Sequence, residues 1–318
     1  MNTQEQSISS NGPGSRPPIS VPRLERAGGA ARFILASVIL GTVGVFLHQA
    51  SVDPITATWF RCAFGFVGLT VWAIYRRQLH NLRLARKACF PILTAGSLMV
   101  IAWGLFFAAI ERTSAGVATV LFHVQPMWVL VLGAWYLKEP VARHRAVAVV
   151  IAMMGLVFAT GVLEHLSIFG AESDYPPSYW WGVAFCLLGA FFTACVTIIA
   201  RRFRHVPAVA LAWWQCGIGT IALLVWPIVN GWPQWGEKWA WLSGLGLVHT
   251  GLAYTLMYAA MARMNADRIA TFQFIYPAVA IVVDWLLYGQ RLGTLQIFGM
   301  AIMAGGIWLA ERPARRRC

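Results

Sequence analysis

Residues 108–140 read AAIERTSAGVATVLFHVQPMWVLVLGAWYLKEP, and residues 259–291 read AAMARMNADRIATFQFIYPAVAIVVDWLLYGQR. One offset, that from Pro126 to Pro277, also carries Ala108 onto Ala259, Arg112 onto Arg263, Ala115 onto Ala266 and Gly155 onto Gly306. Both stretches are apolar, and proline, which lacks an N–H and clashes with the preceding turn, interrupts each midway. Interrupted hydrophobic segments at matching places in two halves mark a duplicated membrane unit whose interruptions border a binding site.

Working outward, 58% hydrophobic residues and a mean hydropathy of +0.63 exceed what a water-soluble domain can bury, so lipid must solvate part of the surface. About 20 apolar residues cross a hydrocarbon core of ~30 Å. Ten stretches of that kind run over 31–50, 55–75, 88–110, 115–137, 142–162, 179–200, 206–228, 239–262, 267–288 and 293–311. The expected fold class is therefore an all-α integral membrane protein of ten transmembrane helices. The net charge of +13 would suit nucleic acid if it lay on one soluble face, but its distribution points to a membrane. With a cytoplasmic N-terminus, the 25 Lys and Arg fall on the tails and on the loops expected inside, except Arg61, Arg112, Lys238 and Arg291. That alternation is the positive-inside pattern of ten spans with both termini cytoplasmic.

The expected domains are a disordered cytoplasmic tail 1–30 without a cleaved signal peptide, a first repeat 31–162 and an outer linker loop 163–178. A second repeat 179–311 and a basic cytoplasmic tail 312–318 follow. Helices 1–5 and 6–10 each make an odd number of crossings, so the second unit enters the membrane inverted (5+5). A further match supports the duplication: WFRCAFG from Trp59 resembles WWQCGIG from Trp213, setting Cys62 on Cys216 and Arg61 on Gln215. The six cysteines lie mostly within spans and form no C-x-x-C, so neither a zinc site nor a disulfide framework is expected, and no cofactor is implied.

These features together resemble the drug/metabolite transporter (DMT) superfamily, in its ten-helix form with two EamA-type domains. A half in that family closes with an Ala-rich helix, a mid-helix Pro, a Gly-Glu pair and a last helix with spaced Gln and Gly. Here the second half offers Pro277, Gly289-Gln290, Gln296, Gly299 and Gly305-Gly306, and the first offers Pro126, Lys138-Glu139 and Gly155. Arg61 stands where the family commonly has Arg on its second helix. The chain departs in two places, with Gln290 for the usual Glu and Lys138 for the usual Gly. The resemblance implies export or exchange of small metabolites by alternating access, in the plasma (inner) membrane of a bacterium.

Several residues could carry the chemistry. Pro126 and Pro277 deprive the carbonyls of Phe122 and Gln273 of their usual donors, which places both kinks beside a wet central chamber. On helix 9, Gln273, Tyr276, Pro277, Ala280 and Asp284 recur at helical spacing as one polar stripe. Helix 4 adds Thr119, His123 and Gln125, helix 8 adds His249 and Tyr254, and helix 3 adds Trp103. Aromatic walls with a few hydrogen-bonding groups suit a small solute with an apolar part, although a lone membrane histidine more often bonds a neighbouring helix. Arg61 and Asp284 are the charges well inside spans, about 10 and 8 Å deep at ~1.5 Å per residue, and are expected to pair as an outer gate or substrate anchor. Ala301, Gly305, Gly306, Gly41 and Gly44 predict close helix contacts, favoured within one subunit over a homodimer.

The leading functional reading is a secondary transporter of small amphipathic, amino-acid-like or drug-like metabolites, with a solute and the lipid bilayer as partners. There is no nucleotide-binding loop, no clustered carboxylates, and no metal-binding His/Glu set. That disfavours an enzyme. The alternative is a membrane-embedded sensor or enzyme that binds a small molecule without moving it.

Overall fold

The computed structural model describes residues 23–160, 176–289 and 293–312, and all regular structure among them is helical. The expected tail before residue 23, most of the 163–178 loop, Gln290 and the last six residues lie outside the described residues. In chain order the helices are α1 Arg23–Gly41, α2 Val43–Ala50, α3 Pro54–Tyr75, α4 Arg86–Arg112, α5 Ala115–Phe122, α6 Gln125–Trp135 and α7 Arg143–Ala159. The second half continues with α8 Pro177–Arg202, α9 Ala208–Ala222, α10 Val225–Asn230, α11 Glu237–Gly244, α12 Ala253–Met261, α13 Ala266–Phe272, α14 Ile275–Tyr288 and α15 Thr294–Glu311. A π-helical stretch, Leu245–Leu252, joins α11 to α12.

Eight helical stretches among the described residues are long and apolar enough to cross a membrane. They coincide with eight of the ten spans expected. The other two are helical but differ: α7 has 17 residues, a rise of about 25 Å, and Glu237–Met261 is interrupted by its π-helical stretch. Outward faces are apolar, as at Val67, Val71 and Trp72 on α3 or Leu286 and Leu287 on α14, all roughly half exposed or more. Lipid suits such a surface, and water does not.

Helix starts follow their local sequence. Asp53 caps α3, its Oδ1 accepting from Ile55 N (3.1 Å) and Thr56 N (2.9 Å), with Pro54 at the first helical position. Ser114 caps α5 by accepting from Val117 N at 3.2 Å. The proline spans break as expected, and in the same way. Backbone bonding contracts to i−3 pairs, Val124 N to Leu121 O (3.2 Å) and Phe274 N to Thr271 O (3.3 Å), just before α6 and α14. Span 1 is broken too, at Thr42, where no proline stands.

The largest helix interfaces are α7 with α15 and α4 with α8, followed by α3 with the π-helical stretch and with α9, α1 with α12, α4 with α9, α6 with α8, α1 with α14 and α6 with α13. One apolar core draws on both halves, including Phe33, Ile92, Val129, Leu156, Ile269 and Met303. Small residues permit the tightest contact. A Cβ on Gly155 would lie 2.5 Å from Met303 N, and one on Gly299 would lie 2.4 Å from Ala159 N, so α7 and α15 touch backbone to backbone. Of the small residues noted on the last span, Gly306 packs on Ala148 and Ala152, while Gly305 meets nothing within 4 Å. Gly41 abuts Val279 on α14.

Duplicated residues make duplicated contacts. Arg112 Nη1 donates to Ala108 O and Arg263 Nη1 to Ala259 O, each at 2.7 Å. Gly182 on α8 packs on Arg112, and Gly29 on α1 packs on Arg263. Where α3 crosses α9, Gly65 faces Cys216 and Gly219 faces Cys62. The described cysteines, Cys62, Cys89, Cys186, Cys195 and Cys216, are free thiols.

Candidate functional site

The breaks before Pro126 and Pro277 face one another. His123 sits at the first break and Tyr276 beside the second, and their rings stack with centroids 6.0 Å apart and planes 15° apart. His123 Nδ1 is held 2.7 Å from Thr119 O, which leaves the ring to face across the gap. Around this contact lies a cavity of about 250 Å³ lined from α1, α2, α3, α4, both broken spans, α8 and α12.

Trp103, Thr119, His123, Gln125, Pro126, Tyr254, Gln273 and Tyr276 all line it, as does Arg61. Pro277 is buried next to the lining without forming part of it. Arg61 is 8% exposed. Its Nε donates to Thr250 Oγ1 at 3.1 Å, its guanidinium carbon lies 5.0 Å from the centre of the Trp103 ring, and the Tyr254 hydroxyl is within reach. Trp103 in turn meets Tyr254 edge to face at 6.2 Å. A delocalised cation over an indole face is a favourable arrangement.

Two expectations need correction. Among the described residues no ion pair joins Arg61 to Asp284. Similar depth is not sufficient for pairing: Asp284 is half-buried beside Gly44, outside the cavity lining, while Arg61 turns toward the π-helical stretch and Trp103. His249 also lies outside the cavity. At 1% exposure its Nε2 is 2.8 Å from Thr42 Oγ1 and its ring packs 4.4 Å from Phe46, so it ties the break in span 1 to the π-helical stretch. The polar stripe of helix 9 divides accordingly: Gln273 and Tyr276 face the cavity, and Val279 and Ala280 pack on Gly41.

Other lining residues escaped the sequence reading. Thr193 and Thr197, one turn apart on α8, bond back to Gly189 O (2.7 Å) and Thr193 O (3.1 Å). Their i, i+4 spacing in an otherwise apolar helix was the available signal. Ser37 is fully buried, and its Oγ meets no partner; Gln273 Oε1 is likewise buried and unpaired. Tyr258 lines the cavity and donates its hydroxyl to Gln215 Oε1, which links α12 to the residue that replaces Arg61 in the second repeat.

A second group of polar contacts lies at the helix ends carrying the basic loops. Arg201, at the end of α8, reaches Glu139 through Nε (3.0 Å), Ala262 O through Nη1 (3.1 Å) and Asn265 Oδ1 through Nη2 (3.3 Å). Glu139 also accepts from Ala266 N at 2.8 Å. Arg145 Nη1 pairs with Asp267 at 2.8 Å, and Arg268 pairs with Glu311. Among the described residues no group of His, Cys, Asp and Glu could hold a metal ion.

Comparison with known proteins agrees with this architecture. The EamA-like transporter family matches residues 28–161 and again 180–311. The chain belongs to that family. EamA proteins fall within the drug/metabolite transporter superfamily, so this is a multi-pass membrane protein of a transporter family rather than an enzyme. It is similar to the uncharacterized transporter YxxF of Bacillus subtilis, 22% identical over 91% of each chain. An uncharacterized transporter of Archaeoglobus fulgidus is 25% identical over 89% of this chain and 96% of its own. A WAT1-related chloroplastic protein of Arabidopsis thaliana is 23% identical over 90% of this chain and 72% of its own. A protein of known crystal structure shares the fold, with a TM-score of 0.78 over 92% of this EamA chain and 99% of its own, at 17% identity.

Proposed function

We propose that this EamA-family protein is a secondary transporter that exports or exchanges small amphipathic metabolites by alternating access around the central cavity. Its ten spans form two inverted five-helix repeats, 31–162 and 179–311, with both termini cytoplasmic, in the inner membrane of a bacterium. The observation that carries the reading is the meeting of the two broken spans at one cavity, with His123 on one break stacked against Tyr276 beside the other. Irregular backbone at membrane depth is tolerated where it lines a chamber, and transporters of inverted repeats bind their solutes at such breaks.

The pairing of helices supports the inversion. The contact of α1 with α12 has its counterpart in α8 with α4, and that of α3 with the π-helical stretch in α9 with α4. Gly65 on Cys216 and Gly219 on Cys62 are related by the same exchange of halves. In this reading the Arg201–Glu139 and Arg145–Asp267 pairs tie helix ends together on the cytoplasmic side, and opening the cavity to the cytoplasm must part them. The walls suit a solute with an apolar body and one or two polar groups: Trp103, Tyr254 and Tyr276 offer rings, Thr193 and Gln273 offer hydrogen bonds.

Purified protein in sealed liposomes, under imposed pH, sodium or solute gradients, tests this with a panel of labelled amphipathic solutes. Saturable flux that is lost when bulky side chains fill the cavity, as with Thr193→Trp, is the expected result. Binding without flux, or chemical conversion of a solute, would remove the transport reading.

A further inference from the structure

Arg61 presents a charge problem that the fold leaves open. It is a permanent cation, 8% exposed, in the wall of a cavity whose lining contains no Asp or Glu. Its neighbours are Thr250, Trp103 and Tyr254, all neutral, and no ion pair among the described residues includes it. An intramembrane arginine ordinarily finds an anion or water. The partner expected from depth, Asp284, lies outside the lining.

Two further observations describe what the ligand carries. Ser37 Oγ, fully buried in the lining, has no partner and can donate to an anion, while Gln273 Oε1, also unpartnered, is an acceptor and suits a donor group elsewhere on the solute. Much of the wall of this space of about 250 Å³ is aromatic, with Phe33, Phe106, Phe107 and Phe122 beside Trp103 and Tyr254, and its other polar groups, such as Thr193 and His123, are neutral or bonded to their own helices. Separately, Tyr258 forms a wall of a second pocket of about 270 Å³, lined by Arg204, His205 and Arg263 at the end of α8 and α12. Basic loops at that end are expected from topology alone, so they cannot by themselves argue for an anion. Their position is what matters: Tyr258, bonded to Gln215, lines both this basic pocket and the cavity holding Arg61.

We propose that the solute of this cavity is an aromatic or otherwise apolar monocarboxylate, whose carboxylate sits on Arg61 and whose apolar body lies against Trp103, Tyr254 and Phe106. This rests on the transport reading above and narrows it. The planar guanidinium offers forked donors that match a carboxylate, with Ser37 available to a substituent of the solute. One cation balances one negative charge; a phosphate dianion would carry an uncompensated charge into an apolar chamber, and the ammonium of a zwitterion would find no carboxylate in the lining. The vestibule of Arg204, His205 and Arg263 concentrates the same anions at the cytoplasmic mouth, and Tyr258 swings aside from Gln215 to admit them.

The probes are phenylacetate, phenylacetamide, phenethylamine and phenylalanine, which share a ring and differ in charge. Titration calorimetry on the purified full-length protein should find phenylacetate tighter than each of the others by about tenfold or more, the factor expected of a charge-assisted hydrogen bond. Arg61→Gln should reduce the preference over phenylacetamide to within about twofold, and Arg61→Lys should keep part of it, since the charge remains and the fork is lost. The ranking on the unmodified protein stands as a test even if both variants misfold. Equal or tighter binding of phenylacetamide, phenethylamine or phenylalanine would overturn the proposal, as would no saturable phenylacetate binding. Flux in liposomes separates the two readings: anion-selective binding without flux removes transport and keeps the site, and flux of neutral or cationic solutes without anion preference does the reverse.

Discussion

The chain leaves its two broken spans through turns that share a left-handed residue and differ in chemistry. Lys138 follows α6 with φ 54°, and Gly289 follows α14 with φ 61°. The duplication has preserved a left-handed residue at both places, and Glu139 N closes the first turn on Gly133 O at 3.1 Å. Beyond the backbone the likeness ends. Glu139 holds Arg201 and the Ala266 N–H, and so joins α6 to α8 and α13. At the corresponding end of the second half, His48 on α2 meets Tyr288 with ring centroids 5.0 Å apart, a contact without formal opposite charges. Duplication therefore keeps the helix geometry around the cavity, while among the described residues an ion pair between helices stands beside the first turn and an aromatic contact beside the second. In the transport cycle proposed above, unequal closures would populate the two states unequally, because each closure is lost in the opposite state.

The sharpest way to break the comparison is Glu139→Ala. It leaves Arg201, 7% exposed, without its directly paired carboxylate and removes the acceptor for Ala266 N. Loss of one partner of a buried pair costs about 3–5 kcal/mol. Thermal or denaturant unfolding in detergent should register it, and a loss below about 1 kcal/mol would mean that water already solvates this end as freely as the His48 end. Next in size is Asp267→Asn. Asp267 is 3% exposed and bonded to Arg145 at 2.8 Å, so neutralising it should cost about 1–3 kcal/mol. A double-mutant cycle with Arg145→Gln should recover most of that cost as coupling; independent effects would assign the ionic closure to Arg201 alone. The smallest effect concerns the turns themselves. Lys138→Gly should stabilise and Gly289→Lys destabilise by about 1 kcal/mol each, since a Cβ at Gly289 meets nothing within 4 Å and the backbone conformation alone is at stake. Effects of the same sign would show that the two turns are not equivalent.

Much of this was legible in the residues. The two quoted stretches, their prolines and the charge alternation predicted helical membrane spans and breaks at the right places, because each depends on side chains close in sequence. The cavity candidates on helices 3, 4 and 9 were found from polar residues at helical spacing near those breaks. Thr193 and Thr197 were missed because threonine satisfies itself against its own helix, so their i, i+4 spacing reads equally well as a pair bonded back to its own backbone. The break at Thr42 and the π-helical stretch were missed for a related reason: no proline announces them, and the contact that joins them, Thr42 Oγ1 with His249 Nε2, is made between spans far apart in sequence.

Residue count along a helix sets depth, so hydropathy and spacing alone gave the apolar segments, the two proline breaks and the expectation of similar depth for Arg61 and Asp284. Depth does not set azimuth. Which way a side chain points depends on how the other helices pack, through contacts such as Gly41 on Val279 and Gly65 on Cys216. That packing turned Arg61 to Trp103 rather than to Asp284, drew His249 out of the cavity and brought the two breaks face to face.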